Sequence, residues 1–245
     1  MSAGDETGGD FTGGNVNEVA RVGDTVRRTS GPWTPTIHAL LAWVRAQGVQ
    51  RLPTPLGVDD RGREVLSYLA GETAGWPVPA WVWEPGTAKD AGALLRSWHD
   101  ATRTFSLTSA VWRMPAHEPA EVICLNDVAP YNMVHDGEQL VGFIDVDMAS
   151  PGPRAWDLAY LAYRICGWCQ DMPAPPAGSS RDARLAHLLD SYGRDAAPSV
   201  PDLMRTMRHR LHDLADWTEE HARTTGAHHL LDHAAMYRRD AARLT

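Results

Sequence analysis

Residues 125–147, LNDVAPYNMVHDGEQLVGFIDVD, place polar side chains where folding alone does not require them. Asp127 and Asn132 stand five apart in a loop-like segment, and Asp145 interrupts an apolar strand. Between NMVH and QLVGFIDV lies Asp136-Gly137, a two-residue hairpin signal. Antiparallel pairing of the two arms brings Asn132, at the start of one, to the same end as Asp145, late in the other. The loop holding Asp127 lies beside that end. An amide and carboxylates meeting in one place are oxygen donors suited to Mg²⁺. Phosphoryl transfer uses this set, with one carboxylate to take or orient a hydroxyl proton and an amide and a carboxylate for the metal. Each residue alone has a structural role open to it: Asp127 capping a turn, Asn132 satisfying loop backbone, Asp145 ending a strand. It is their combination around a hairpin that points to chemistry.

Working outward, Pro151-Gly152-Pro153 precedes a helix beginning near Trp156, and PAPPAGSS (173–180) reads as a surface loop. Three further helices are predicted at about 181–193, 201–224 and 228–244. On the N-terminal side, Ala91, Leu94, Leu95, Trp98 and Ala101 recur at the spacing of a helix with one buried face. Before it lies a Pro/Trp-rich connector, TAGWPVPAWVWEPG. The first 71 residues are different in character. EVARVGDTVRR (18–28) reads as two short strands about a Gly-Asp turn, and REVLSYLAG (63–71) as a strand. Thr34 and Pro35 start a helix carrying Ile37, Leu40, Leu41 and Val44 on one face. The expected organisation is a flexible tail (1–10), a nucleotide-binding lobe (11–71) and a catalytic and substrate-binding lobe (72–245).

At this point the residues carry a resemblance. Asn126-Asp127, Asn132, the hairpin and then Ile144-Asp145 resemble the aminoglycoside phosphotransferase and choline-kinase-like family, and Trp156-Asp157-Leu158-Ala159 fits it too. The resemblance implies an α+β, two-lobed protein-kinase-like fold, with a small strand-rich N-lobe and a larger, mostly helical C-lobe. It also implies a small-molecule kinase that uses ATP or GTP with Mg²⁺ to phosphorylate a hydroxyl of an aminoglycoside-like antibiotic or related metabolite. Position by position, Asp127 looks like the catalytic aspartate, and Asn132 and Asp145 like the metal ligands. Asp157 looks like a brace for the catalytic loop. Asp147, two positions on in a strand, faces the same side as Asp145. It reads either as a further oxygen ligand for the metal or as a hydrogen-bond acceptor for a nearby helix start.

On the nucleotide side, Gly13-Gly14-Asn15 stands where a phosphate-covering turn belongs. The only lysine is Lys89, so Arg27 or Arg28 takes the strand position of the family's phosphate-pairing lysine. Ser67-Tyr68-Leu69 is similar to the hinge that meets adenine; a plain core strand is the alternative. Among the later helices, Asp190, Asp213 and Glu219 are candidate acceptor contacts. Three departures stand out: Leu125 replaces a histidine, arginine replaces lysine, and the helix at 35–47 has no acid to pair that cation, offering Ile37 and His38 instead. They motivate a second reading, a catalytically weak or inactive kinase-like binding or immunity module.

Bulk properties narrow the classes further. A net charge of −8 disfavours a nucleic-acid groove, and no apolar run reaches the roughly 18 residues of a membrane span. The opening MSAGDETGGD lacks the basic start and apolar centre of a signal peptide, so a cytoplasmic location is expected. Cys166 and Cys169 form a CxxC, but it follows the apolar run WDLAYLAYRI and so falls at a helix end. A redox dithiol is expected at a helix start. His229 and His233 have i, i+4 spacing without the HExxH glutamate, and read as solvated helix face. Most of the ten tryptophans are expected in the core.

Overall fold

The computed structural model describes residues 19–244. Val19–Val22 (β1) and Thr25–Thr29 (β2) form a hairpin about Gly23-Asp24, with Gly23 at φ +59°. Such tight hairpin turns need left-handed backbone, which glycine adopts without steric cost. Thr34–Ala46 (α1) follows and buries Ile37, Leu40, Leu41 and Val44, the face its spacing predicts. Its start differs slightly from expectation: Trp33 is the cap residue, and the Thr34 hydroxyl turns back to accept the Gly31 N–H at 2.9 Å. Pro55–Val58 (β3) and Arg63–Ser67 (β4) complete a four-stranded antiparallel sheet of order β1-β2-β4-β3.

Beyond residue 67 helices dominate. Pro85–Thr102 (α2) is amphipathic, and its buried Trp98 donates its indole N–H to the Ile123 carbonyl at 2.7 Å. That bond joins α2 to Val122–Cys124 (β5), the strand leading into the polar loop. Met133–His135 (β6) and Leu140–Phe143 (β7) form the predicted hairpin with Met133 opposite Phe143. The turn is longer than Asp136-Gly137 alone. Residues 136–139 form it, because the Asp136 carboxylate accepts the N–H groups of Glu138 and Gln139, each at 2.9 Å. Ser150–Gly152 (β8) returns to pair with β5.

Arg154–Ile165 (α3), Arg181–Tyr192 (α4), Val200–Thr225 (α5) and Leu230–Arg243 (α6) complete the helical part, close to the predicted ranges. One continuous apolar core runs from α1 through α2 and α3 to α6. Full burial of each large apolar side chain in it contributes about 1.5–3 kcal/mol. No helix among the described residues is long and apolar enough to cross a membrane.

Candidate active site

The loop between β5 and β6 is held from below by a buried acid. Asp157, in the first turn of α3 and 0% exposed, accepts the backbone N–H groups of Leu125 (2.6 Å) and Asn126 (2.9 Å). His99 of α2 contacts the same carboxylate at 3.1 Å. Asp157 thus braces the loop, as the sequence suggests. Asn126 takes φ +65°, and its side-chain amide donates to the Met148 carbonyl and the Ser150 hydroxyl, both at 2.8 Å. Left-handed backbone at an asparagine is tolerated at modest cost because its side chain bonds locally. The Arg210 guanidinium of α5 donates to the Asn126 carbonyl. Leu125, which replaces the family's histidine, is buried among apolar neighbours.

Fixing the loop in this way positions Asp127. Its Oδ1 accepts the Tyr131 hydroxyl at 2.6 Å, and its Oδ2 accepts the Asn132 amide at 3.0 Å. The Asn132 amide nitrogen also donates to the Asp127 carbonyl at 2.9 Å, which turns its oxygen away from Asp127. Burial raises the Asp127 carboxyl above its ordinary range, against the hydrogen bond from Tyr131 and the charges of Arg164 and Arg210. A carboxyl shifted this way is better placed to accept a proton near neutral pH.

Asp145 follows β7 at φ +58°, a strained conformation for a non-glycine residue. Arg28 of β2 reaches across to it, Nη1 to Oδ1 at 2.5 Å. Asp147 lies next to it and is ion-paired with Arg113, whose guanidinium stacks over Trp33 at 4.8 Å. The recessed setting and then the Asp147 charge push the Asp145 carboxyl up to about 7, outweighing Arg28. Burial works against the Asp147 charge as well, but the Asp145 hydrogen bond and the guanidiniums of Arg28 and Arg113 hold Asp147 below its ordinary range. Two adjacent acids cannot both be charged cheaply, and of the pair Asp145 is the one that holds its proton more tightly.

Arg28 has a partner that sequence reading did not find. Directly across the β2–β4 ladder from it stands Glu64, 2% exposed, whose carboxylate is ion-paired with Arg28. His38 of α1 contacts the other Glu64 oxygen at 3.0 Å. The acid missing from the helix is supplied by the neighbouring strand, and the helix contributes the histidine. An acid inside the otherwise apolar β4 was the visible signal; the strand register needed to interpret it was not.

Arg28, Asn132, Asp145, Ser67, Tyr68 and Leu69 all line one cleft of about 470 Å³ between the sheet and the helical part. Gly71 (φ +140°) closes its back; a Cβ there would lie 2.6 Å from the His135 carbonyl oxygen, so the connector can approach β6 only as glycine. Arg27 does not belong to this group. Successive strand residues face opposite sides, and Arg27 points to the outer face, 3.6 Å from Asp59. Of the two arginines the sequence offers, Arg28 lines the cleft and Arg27 does not. Gly13, Gly14 and Asn15 lie outside the described residues.

Other candidates separate from this centre. Cys166 and Cys169 are buried at the C-terminal end of α3, and burial pushes the Cys166 thiol up to about 12, the reverse of a reactive dithiol. Asp190 pairs with Arg194 and Glu219 with Arg238, on solvent-facing helix surfaces. Asp213 lines a second cavity of about 260 Å³ with His117, Asn126, Trp156 and Trp217. Of the nearer surroundings of Asp127, Tyr131 comes from the same loop, whereas Arg164 is brought there only by long-range packing.

A small four-stranded sheet beside a helical part, with Asp145 facing the strand cation Arg28 across a cleft, is the architecture of protein-kinase-like proteins. A choline/ethanolamine kinase family protein from Mesorhizobium loti shares the fold at TM-score 0.65 and 18% identity, over 97% of this chain and 87% of that one. So does the GDP complex of wild-type aminoglycoside 2'-phosphotransferase-IIIa, at TM-score 0.63 and 11% identity, over 98% and 94%. Residues 107–197 match the model of the phosphotransferase enzyme family. The trifolitoxin immunity protein of Rhizobium leguminosarum bv. trifolii is 32% identical over 225 residues, 87% of this chain and 85% of that protein. The chain belongs to the phosphotransferase enzyme family.

Proposed function

We propose that the protein transfers the terminal phosphoryl group of ATP or GTP to a hydroxyl of a small molecule. One observation carries this reading: a single cleft is lined by Arg28 and Ser67–Leu69 on the sheet side and by Asn132 and Asp145 on the loop side, with Asp127 beside them. In this reading Ser67–Leu69 contacts the base, and Arg28, steadied by Glu64, faces the phosphates. Guanidinium forks suit phosphate oxygens. Asp127 orients the acceptor hydroxyl and takes its proton. The Asn132 amide oxygen and the Asp145 carboxylate form a hard-oxygen donor set that fits Mg²⁺, with Asp147 as a further candidate. When bound, that ion would offset phosphate charge. Arg28, now bonded to Asp145, would have to release that carboxylate oxygen as nucleotide phosphates enter.

Asp127 feels the cations Arg164 and Arg210 on one side and the Asp145 carboxylate on the other. A second reading has its own support. The relative named as an immunity protein favours a module that protects by binding, with weak or no turnover. A nucleotide-consumption screen over hydroxylated antibiotics and metabolites, with mass spectrometry for an added phosphate, separates the two. Turnover that is lost in Asp127→Ala supports the phosphotransferase; tight ligand binding without any Mg²⁺-dependent turnover supports the binding module.

A further inference from the structure

The acceptor position beside Asp127 already holds a hydroxyl, and it belongs to the chain itself. Tyr131 donates its phenol O–H to Asp127 Oδ1 at 2.6 Å, the contact an acceptor needs with its base. It is not a buried core residue: its exposure is 37%, and it lines the same cleft as Arg28, Asn132 and Asp145. The Tyr160 hydroxyl lies 3.1 Å from the phenol oxygen, and the Arg164 guanidinium lies over the ring at 5.3 Å. Arg164 makes no ion pair among the described residues, and its Nη1 faces the Cys169 sulfur at 3.3 Å. Arg164, which acts on the Asp127 carboxylate only at a distance, thus stands beside the phenol that touches it.

We infer that Tyr131 is a phosphoryl acceptor, modified within its own chain by the nucleoside triphosphate that the cleft binds. The inference rests on the phosphotransferase reading given above. In the step, the Tyr131 phenol oxygen forms a bond to the γ-phosphorus. The bond from that phosphorus to the β,γ-bridging oxygen breaks, and its electron pair leaves on the nucleoside diphosphate. The phenol proton passes to Asp127. The product carries close to two negative charges, which Arg164 and Tyr160 are placed to receive. A phosphate on Tyr131 would also separate Asp127 from any external hydroxyl, so modification would switch off transfer to small molecules.

The test uses the full chain with Mg²⁺ and ATP, no added acceptor, and peptide mass mapping. The expected result is one phosphate on Tyr131, formed at a rate constant unchanged by tenfold dilution of the protein, and absent in Tyr131→Phe and Asp127→Asn. Loss of one hydroxyl in Tyr131→Phe leaves the ring in place, and a melting curve confirms folding. A second readout needs neither metal nor phosphoryl transfer: 5'-p-fluorosulfonylbenzoyladenosine, an adenosine carrying an electrophile at the γ-phosphate distance, should label Tyr131. Phosphate or label on other residues, or bound nucleotide with Tyr131 unmodified, overturns this inference and leaves the phosphotransferase reading standing. A protein that binds no magnesium nucleotide overturns both.

Discussion

Glu64→Gln probes the pairing that replaces the missing helix acid. The side chains of Glu64 and Arg28 are 3% and 7% exposed, so the ion pair is shielded from water. Removing one partner of a buried pair costs about 3–5 kcal/mol when the other is stranded. Arg28 is not fully stranded, because Asp145 remains 2.5 Å from Nη1 and glutamine keeps a carbonyl oxygen for one guanidinium N–H. A loss of about 2 kcal/mol follows, which for a chain of this size lowers Tm by about 4–8 °C. Arg28 would also be drawn more fully to Asp145, so affinity for magnesium nucleotide should fall. The assay is thermal melting by circular dichroism, beside Asp190→Asn as control. Asp190 and its partner Arg194 are 62% and 52% exposed, and such surface pairs contribute about 0–1 kcal/mol. If Glu64→Gln melts no lower than Asp190→Asn, the cross-strand pair does not organise the cleft.

Further outcomes follow from the same geometry. Asp157→Ala leaves the Leu125 and Asn126 N–H groups and His99 without their buried acceptor, and should cost about 3–5 kcal/mol and lower Tm by about 6–20 °C. Asp145, whose folded-state value of about 7 lies above that of an unfolded aspartate, binds its proton more tightly when folded. Its contribution to stability is present at acid pH, below about 4, and is lost as pH rises through about 7. The wild type should therefore lose stability relative to Asp145→Asn over that range, and Asp147→Asn should flatten the trend by removing the neighbouring charge. Ellman's reagent should find no fast-reacting thiol in the native protein and three after denaturation, since Cys124, Cys166 and Cys169 are all buried. Rapid reaction of two thiols would revive the redox reading of the CxxC.

The fold was legible wherever periodicity and local turn chemistry decide structure. The apolar stripe of α1, the Gly23-Asp24 hairpin and the meeting of Asn132 with Asp145 in one cleft, Asp127 bonded to Asn132 beside it, all follow from spacing along the chain. The choice between Arg27 and Arg28 did not, because it depends on which face of β2 is covered, and that is set by α1 and the cleft. Glu64 escaped for a related reason: its pairing is a matter of register between strands 36 residues apart. The Asp136 turn was misjudged in length because its side chain caps two backbone N–H groups, widening the loop. The surroundings of Asp127 depend on α3, whose packing places Tyr160 and Arg164 there with no motif to announce it.

The central claim is that the loop amide and the carboxylate after β7 act together on a magnesium nucleotide. Calorimetric titration of ATP, with and without Mg²⁺, into the wild type and into Asn132→Ala/Asp145→Asn tests it directly. Binding by the wild type should tighten by about tenfold or more when Mg²⁺ is present, equivalent to at least ~1.4 kcal/mol. The double variant should lose that dependence. Wild-type binding of equal strength in both conditions, or no binding in either, would contradict the account.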